Sequence, residues 1–224
     1  MRALLTMSFM SFATFPLIAA EQLPLILKED FERGAGRWQT TDVKKQSWSI
    51  EKEGDNHFYR VHGKSDYRPP VRSPHSQAIL KDVIVSDFEL TARLKSTNTK
   101  AGAHRDLCLF WGRQDASHFY YVHLAKKADP HANQIFIVNG AARKAITKKE
   151  SPGTPWDDAW HEVKIVRRVK DGTIEVYFDD METPHMTAID KTFTWGQIGI
   201  GTFDDNGNWD DIELRGIKVK RPTN

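Results

Sequence analysis

The chain has 224 residues, with 32 Lys and Arg against 30 Asp and Glu, and its formal net charge is +2 at pH 7. Both signs are spread along the chain, whereas nucleic-acid binders concentrate basic residues on one face, so no nucleic-acid partner is expected. The single cysteine, Cys108, excludes an internal disulfide, so stability has to come from packing or from a bound metal ion.

The first 20 residues have the pattern of an export signal. Arg2 precedes an apolar stretch over 3–18, and small residues stand before Glu21. This stretch is shorter than the roughly 20 apolar residues of a spanning helix, although a membrane anchor is the alternative. We therefore expect a signal peptide over 1–20, a mature domain over 21–224, and a secreted or periplasmic protein with no membrane insertion after signal cleavage.

Short apolar runs, rich in aromatic and β-branched residues and bounded by turn residues, predict β-strands through the mature chain. The predicted strands are 25–32, 48–52, 58–62, 78–85, 88–95, 105–113, 118–124, 134–138, 141–147, 160–167, 173–179, 196–203 and 209–219. Three prolines exclude a central strand over 65–75, which is predicted to be an ordered loop, and 78–85 is predicted to lie at a sheet edge. No long helix is predicted. The pattern indicates an all-β fold, a two-sheet antiparallel β-sandwich or jelly roll, in one domain.

The segment 105–138 is predicted to form three consecutive antiparallel strands in the middle of one sheet. Successive side chains of a strand point to opposite faces. One face is predicted to be dry and to hold aliphatic residues: Val122, Leu124, Ile135 and Ile137. The other is predicted to be polar and to face an open groove, with these residues: Tyr121, His123, Gln134, Arg105 and Trp111. The first strand is ambiguous, because both of its faces are partly apolar.

Several segments together resemble a known architecture. They are Glu29–Glu32 followed by Trp38, the strands 160–167 and 172–179, and Gly196–Phe203 followed by Asp210–Leu214. They resemble bacterial concanavalin A-like lectin/glucanase domains, near the laminin-G-like and 3-keto-disaccharide hydrolase groups. The resemblance implies a jelly roll of two curved sheets that binds glycans on its concave sheet. It also implies a calcium ion that ties the chain ends together. The Glu-x-Asp-x-x-Glu strand of laminarinase-type glucanases does not occur in this sequence, which weakens the case for hydrolysis.

The polar face is the candidate catalytic surface, because uronate polysaccharide lyases with jelly-roll folds use similar residue types. There an Arg and an amide neutralise the substrate carboxylate, a His or Tyr removes the neighbouring proton, and a Tyr protonates the leaving oxygen. The predicted catalytic residues are His123, Tyr121, Arg105 and Gln134. The predicted substrate-binding residues are Trp111, Arg113, His118, Arg68 and Arg72. The alternative is that these are ordinary half-buried residues with hydrogen-bond partners.

Acidic residues near the two ends of the mature chain are candidate calcium ligands, because carboxylate oxygens suit this ion. The predicted ligands are Asp30, Glu32, Asp211 and Glu213. The nine histidines show neither His-x-His nor His-Glu-x-x-His spacing, so zinc is not predicted, and no organic cofactor is expected.

The sequence therefore predicts a secreted protein that binds a polysaccharide or oligosaccharide and cleaves it, with lyase-type elimination ahead of hydrolysis. A non-catalytic glycan-binding module and a structural or interaction sandwich without a sugar site are the alternatives. The sequence sets neither the glycan nor the oligomeric state.

Overall fold

A computed structural model describes residues 22–222, so the predicted signal peptide lies outside the described residues. The fold is a sandwich of two antiparallel sheets, which confirms the predicted class. Its strands are β1 Leu25–Glu29, β2 Trp38–Thr40, β3 Trp48–Glu53, β4 Asn56–His62, β5 Ser76–Leu80, β6 Val85–Ser96, β7 Asp106–Asp115, β8 His118–Ala125, β9 Gln134–Asn139, β10 Lys144–Ala145, β11 Thr147–Lys149, β12 His161–Arg168, β13 Thr173–Phe178, β14 Met186–Ile189, β15 Gln197–Thr202 and β16 Asn206–Lys218. The helical element is one 3-10 turn at Gly102–His104. Within residues 22–222, no helix has the length and apolar character needed to cross a membrane.

The order of the strands confirms the main predicted neighbours. The first sheet, sheet A, runs β11-β14-β13-β12-β6-β16-β4-β3, with β1 also paired to β16, so the first and last strands are adjacent. The second, sheet B, runs β10-β9-β8-β7-β15-β5-β2, and β7, β8 and β9 are consecutive within it as predicted.

Two predictions about strands were wrong, and two short strands were missed. Strand β5 is not at a sheet edge, because the three-residue strand β2, which the sequence pattern missed, pairs with its outer side. Strand β14 was also missed, since four residues give too little periodicity to detect. The segment 141–147 is not one strand, because β10 joins sheet B while β11 joins sheet A.

The space between the sheets is filled by one large apolar core. The predicted dry face of sheet B is confirmed, since Val122, Leu124 and Ile135 are fully buried and Ile137 is nearly so. Trp111 also lies on this side, where it stacks on Tyr120 with ring centroids 5.9 Å apart. Its predicted place on the polar face was therefore wrong.

The opposite, outer face of sheet B carries a second apolar cluster, which we call the outer cluster. Its members are all buried: Cys108, Phe110, Phe119, Tyr121, Phe136 and Val138. Val71 and Phe203 pack on it from outside, and Val71 belongs to the proline-rich segment 65–75 that runs across this face. The prediction that Tyr121 faces an open groove was wrong, because this ring has no exposed surface.

The register of β7, β8 and β9 explains which residues share the outer face. Cys108 lies opposite His123, and His123 lies opposite Gln134, so these three form one row across the sheet. Even-numbered residues of β7 therefore share a face with odd-numbered residues of β8. It follows that Trp111, and by the same parity Arg105, point to the other side of the sheet.

Candidate functional site

The outer face of sheet B opens into a cavity of about 510 Å³ beside the outer cluster, and we call it the His123 pocket. Its walls come from the proline-rich segment, the loops after β8 and β9, the 3-10 turn, and the start of the β15–β16 connection. The lining residues are mostly polar: Arg72, His75, His104, Asp106, His123, Asp129, His131, Ala132, Arg143, Phe203 and Asp204. Such a lining offers hydrogen-bond donors and acceptors from several directions around one space.

The floor of the His123 pocket is a buried imidazole beside a buried carboxylate. His123 is 6% exposed and Asp106 is 5% exposed. Nε2 of His123 lies 3.0 Å from Oδ2 of Asp106, and Nδ1 lies 3.1 Å from the backbone oxygen of His131. Each ring nitrogen therefore has one polar neighbour, and the hydrogen bond to the His131 backbone oxygen orients the ring.

Asp106 is itself held by two residues at and just after the end of β15, Thr202 and Asp205. The Thr202 hydroxyl donates to Oδ1 of Asp106 over 3.0 Å, and the backbone N–H of Asp106 donates to Asp205 over 2.7 Å. Burial, together with the nearby charge of Asp106, raises the pKa of Asp205 to about 6, against the lowering effect of that N–H. Asn98 also donates to the Asp205 carboxylate. Oδ1 of Asp106 thus accepts a hydrogen bond from Thr202, while Oδ2 faces His123.

Arg143 forms the wall between the pocket and the outer cluster. Its guanidinium lies over the rings of Phe203 and Phe136, 4.3 Å and 4.9 Å from their centroids. Nη1 donates to the Tyr121 hydroxyl over 3.1 Å, and the backbone N–H donates to the carbonyl of Arg72 over 3.2 Å. These contacts hold the guanidinium in place before any ligand arrives, which reduces the entropic cost of binding.

The predicted catalytic residues do not meet in one open site, although Tyr121, His123 and Gln134 share the outer face of sheet B. Arg105 is 4% exposed and bonds to Ser96 and to the backbone oxygen of Asp157, away from the pocket. Tyr121 lies on the correct face but is sealed in the outer cluster, where burial raises its pKa far above the ordinary value. Gln134 is adjacent to His123 and donates to Glu150 over 3.4 Å.

The predicted substrate-binding residues are scattered as well. Arg72 lines the His123 pocket, whereas Arg68 is exposed on the same segment and does not line it.

Arg113 lines a separate cavity of about 310 Å³ with Tyr67. His118 lies 2.9 Å from both oxygens of Asp115, and Trp111 is in the core between the sheets.

Several lining residues gave no recognisable signal in the sequence: Asp106, Arg143, Phe203, His75, His104, His131, Asp129 and Asp204. They come from five separate parts of the chain, so their convergence depends on the strand order. Only the Asp106-x-Cys108 spacing is visible locally, because residues two apart share a strand face.

The four predicted calcium ligands do not form a calcium site. Asp30, Asp211 and Glu213 line one cavity of about 270 Å³, but Lys28 lines it too and its Nζ lies 3.0 Å from Glu213. Two more of the four are in ion pairs, Asp211 with Arg93 at 3.2 Å and Glu32, which does not line the cavity, with His57 at 2.6 Å. Because calcium needs about six to eight oxygens free to coordinate it, these residues do not fit the ion, and no role is derived for it.

A further cavity of about 420 Å³ lies where β2 and β3 approach each other at one edge of the sandwich. Trp38, Trp48 and Tyr59 line it together with Lys45 and Lys81. The three aromatic residues are 5–8% exposed, and their rings pack on one another and on neighbouring core rings. They offer little free ring surface, so we rank this Trp48 cavity behind the His123 pocket.

No family model and no curated protein matches this chain. Similar solved structures include a carbohydrate-binding module, CBM66, from Bacillus subtilis, with 17% identity, a TM-score of 0.56, and coverage of 80% of this chain and 96% of that one. A Bacillus subtilis protein of unknown function with a galectin-like fold has 12% identity, a TM-score of 0.55, and coverage of 90% and 99%. The winged bean acidic lectin, in complex with methyl-α-D-galactose, has 10% identity, a TM-score of 0.52, and coverage of 83% and 94%.

At these identities the similarity shows the fold, a lectin-like and galectin-like sandwich. The narrower resemblance to laminin-G-like and 3-keto-disaccharide hydrolase groups stays a prediction.

Proposed function

We propose that this protein binds an oligosaccharide or a polysaccharide in the His123 pocket and does so without cleaving it. The observation that carries the proposal is the convergence of two guanidinium groups, four imidazoles and three carboxylates around one cavity of about 510 Å³. This volume lies in the usual range of small-ligand sites, roughly 300–1,000 Å³.

The chemistry of the walls favours a hydroxyl-rich ligand. Arg72 and Arg143 donate only, the carboxylates of Asp129 and Asp204 accept only, and imidazoles can do either. A sugar hydroxyl both donates and accepts, so it matches a wall of mixed groups better than an apolar ligand or a simple anion does.

The similar structures support the same class of ligand. Two of the three are described as a carbohydrate-binding module and a lectin bound to a galactoside, and the present chain covers almost the whole of each. The export-signal pattern at residues 1–20 agrees with a protein that meets glycans outside the cytoplasm, so we include secretion or periplasmic location in the proposal.

Binding is favoured over elimination because the predicted acid-base pair is split. The Tyr121 hydroxyl accepts a hydrogen bond from Arg143 and has no exposed surface, so no substrate oxygen can reach it in this arrangement. A general acid has to lie within hydrogen-bond reach of its substrate, about 2.6–3.2 Å.

A matched pair of arginine variants tests the proposal. Arg72 and Arg68 are exposed residues of the same segment, but only Arg72 lines the pocket. The wild-type protein is first screened against neutral and uronate-containing oligosaccharides by calorimetry, with product absorbance and reducing ends followed in parallel. For the tightest ligand, Arg72→Ala should weaken binding roughly tenfold or more, the effect of losing a charge-assisted hydrogen bond of about 1.5–3 kcal/mol. Arg68→Ala should change it by less than about twofold, as for most surface substitutions.

Other outcomes contradict the proposal in distinct ways. Equal losses in both variants would indicate non-specific attraction to positive charge. Binding that survives Arg72→Ala but is lost in Lys45→Ala would place the ligand in the Trp48 cavity instead. Unsaturated or reducing products would show that the protein is an enzyme, and no binding to any glycan would favour an interaction domain.

A further inference from the structure

The floor of the His123 pocket holds three side chains of the kind that bind transition metals. Asp106 and Cys108 are two residues apart on β7, and His123 lies opposite Cys108 on β8, so all three share the outer face. One ligand atom from each, a carboxylate oxygen, the Sγ and a ring nitrogen, lies within 4.8 Å of the other two. All three residues are buried.

The hydrogen bonding of His123 defines what its second nitrogen can do. The backbone oxygen of His131, 3.1 Å from Nδ1, can only accept, so Nδ1 carries the hydrogen. In the neutral ring Nε2 then has a bare lone pair, and that lone pair lies 3.0 Å from the carboxylate of Asp106. Two electron-rich atoms at this distance repel each other unless a proton or a cation lies between them.

The direction of Nε2 favours a cation over a shared proton. Despite the short distance, Nε2 and the Asp106 oxygen do not have hydrogen-bond geometry, so the oxygen lies to one side of the direction in which Nε2 bonds. An ion bound by both groups would itself occupy that direction, and the oxygen would stand to one side of it. An unpartnered nitrogen on a side chain that is only 6% exposed therefore has the geometry of a metal-binding atom rather than of an ion pair.

We propose that Asp106, Cys108 and His123 bind a divalent transition-metal ion of the zinc class. A thiolate and an imidazole select zinc-like ions over calcium or magnesium, which prefer oxygen ligands. The hydrogen bond from Nδ1 to the His131 carbonyl is the second contact that metal-binding histidines usually make, since it fixes the ring and leaves Nε2 for the ion.

The distances require little movement. With zinc bonds of about 2.0–2.1 Å to nitrogen and oxygen and about 2.3 Å to sulfur, tetrahedral geometry places the ligand atoms about 3.3–3.6 Å apart. The nitrogen and oxygen are at 3.0 Å, and the three ligand atoms lie within 4.8 Å of one another. Small side-chain rotations would close the site.

The three side chains leave one position of a tetrahedral ion free. Since Asp106 and His123 line the pocket while Cys108 lies beneath it, that position would be filled by water or by an oxygen of a bound ligand. The metal site stands on these contacts alone and does not depend on which ligand enters the pocket.

Metal binding by the full chain tests the proposal. The purified protein is stripped with a chelator and titrated with Zn²⁺ by calorimetry and with Co²⁺ by absorption spectroscopy. One ion should bind per chain, and the Co²⁺ form should show a thiolate-to-cobalt charge-transfer band. Zn²⁺ should also raise the melting temperature, because a ligand that binds only the folded state stabilises it.

Three ligand variants and one control complete the experiment. Cys108→Ser, His123→Ala and Asp106→Asn should each weaken Zn²⁺ binding at least about 100-fold, since each removes one of three protein ligands. Cys108→Ser should also abolish the charge-transfer band, whereas His62→Gln, an exposed histidine on sheet A, should change neither measurement. Near-UV circular dichroism establishes whether each variant is folded. If Cys108→Ser and His123→Ala do not fold, the Zn²⁺ affinity of Asp106→Asn decides the question.

The proposal is overturned if the stripped wild-type protein binds no Zn²⁺, if affinity is unchanged in the folded ligand variants, or if the Co²⁺ complex lacks the thiolate band. Glycan binding is measured on the same stripped protein. If the wild-type protein binds no Zn²⁺ but still binds the glycan in an Arg72-dependent way, this inference is refuted and the proposed function stands.

Discussion

Two adjacent tyrosines on β8 should differ sharply in what their hydroxyl groups contribute to stability. Tyr120 and Tyr121 are both fully buried but point to opposite faces of sheet B. The Tyr120 hydroxyl donates to the Asp190 carboxylate and accepts from the backbone N–H of Phe193 over 2.9 Å. The Tyr121 hydroxyl instead accepts one hydrogen bond, from Arg143 at the pocket wall.

The expected cost of each Tyr→Phe variant follows from these partners. Tyr120→Phe removes a bond to a charged acceptor and leaves the N–H of Phe193 buried without a partner, so it should cost about 1.5–3 kcal/mol or more. Tyr121→Phe removes one bond whose donor is half-exposed and can bind water instead, so it should cost about 0.5–1.5 kcal/mol. Tyr121→Ala, which removes the ring from the outer cluster, should cost about 3–5 kcal/mol.

Urea unfolding, followed by tryptophan fluorescence, measures these differences. The melting temperatures should follow the same order, at about 2–4 °C per kcal/mol for a domain of this size. Equal costs for the two Tyr→Phe variants, or a larger cost for Tyr121→Phe, would contradict the assignment of the two faces. A neutral Tyr121→Ala would show that the outer cluster is not a packed core.

Three further predictions concern other parts of the sandwich. Gly201→Ala should destabilise the fold by about 3 kcal/mol or more, because the added Cβ would lie 2.0 Å from a backbone oxygen of β5. Gly36→Ala adds a Cβ with no atom within 4 Å, so it should be neutral or stabilise the fold by up to about 1 kcal/mol. The midpoints of urea unfolding measure both effects. Arg105→Ala should lower the free energy of unfolding by about 2–3 kcal/mol, because it leaves the backbone carbonyl groups of Ser96 and Asp157 unpaired. Arg93→Ala breaks an exposed ion pair and should lower it by less than about 1 kcal/mol. A larger loss for Arg93→Ala would refute a structural role for Arg105. Burial pushes the pKa of Asp190 up, but hydrogen bonds from a tyrosine hydroxyl and a backbone N–H hold it below the ordinary value. Its contribution to stability should therefore be full above about pH 4 and be lost as the pH falls through the lower, folded-state pKa, and Asp190→Asn should flatten this acid limb in melting curves recorded between neutral and acid pH.

Local periodicity was enough to predict the sandwich and the dry face of β8. Side chains alternate along a strand with a period of two, so the faces of β8 could be assigned from its own residues. Val122 and Leu124 are buried between the sheets as expected. The two predicted strands 160–167 and 173–179 alternate in the same way and correspond to β12 and β13, where Ile165 lies opposite Val176.

The composition of the candidate site required information that one strand does not contain. Arg105 and Trp111 were placed with Tyr121 because the sequence does not fix the register of β7 against β8, and a shift of one residue moves every side chain to the other face. In the structure Phe110, not Trp111, shares the face of Tyr121. The same missing register hid the proximity of Cys108 to His123, and zinc was therefore not predicted.

The burial of Tyr121 could not be predicted for a different reason. Val71 and Phe203, which pack on the outer cluster, are distant from Tyr121 in the sequence, one far before it and one far after it. An alternating polar and aromatic strand indicates a half-buried face, but only tertiary packing decides whether a loop covers it. The segment that contains Val71 contributes Arg72 and His75 to the wall of the His123 pocket, which the sequence pattern also does not reveal.

The His123 pocket should bind a glycan, and a crystal structure grown with the tightest oligosaccharide of the panel would show whether it does. The expected result is a sugar residue in the pocket, with its hydroxyl groups within hydrogen-bond distance of Arg72 and Arg143. A sugar bound in the Trp48 cavity or on the outer surface of sheet A, with the His123 pocket free of it, would contradict the claim.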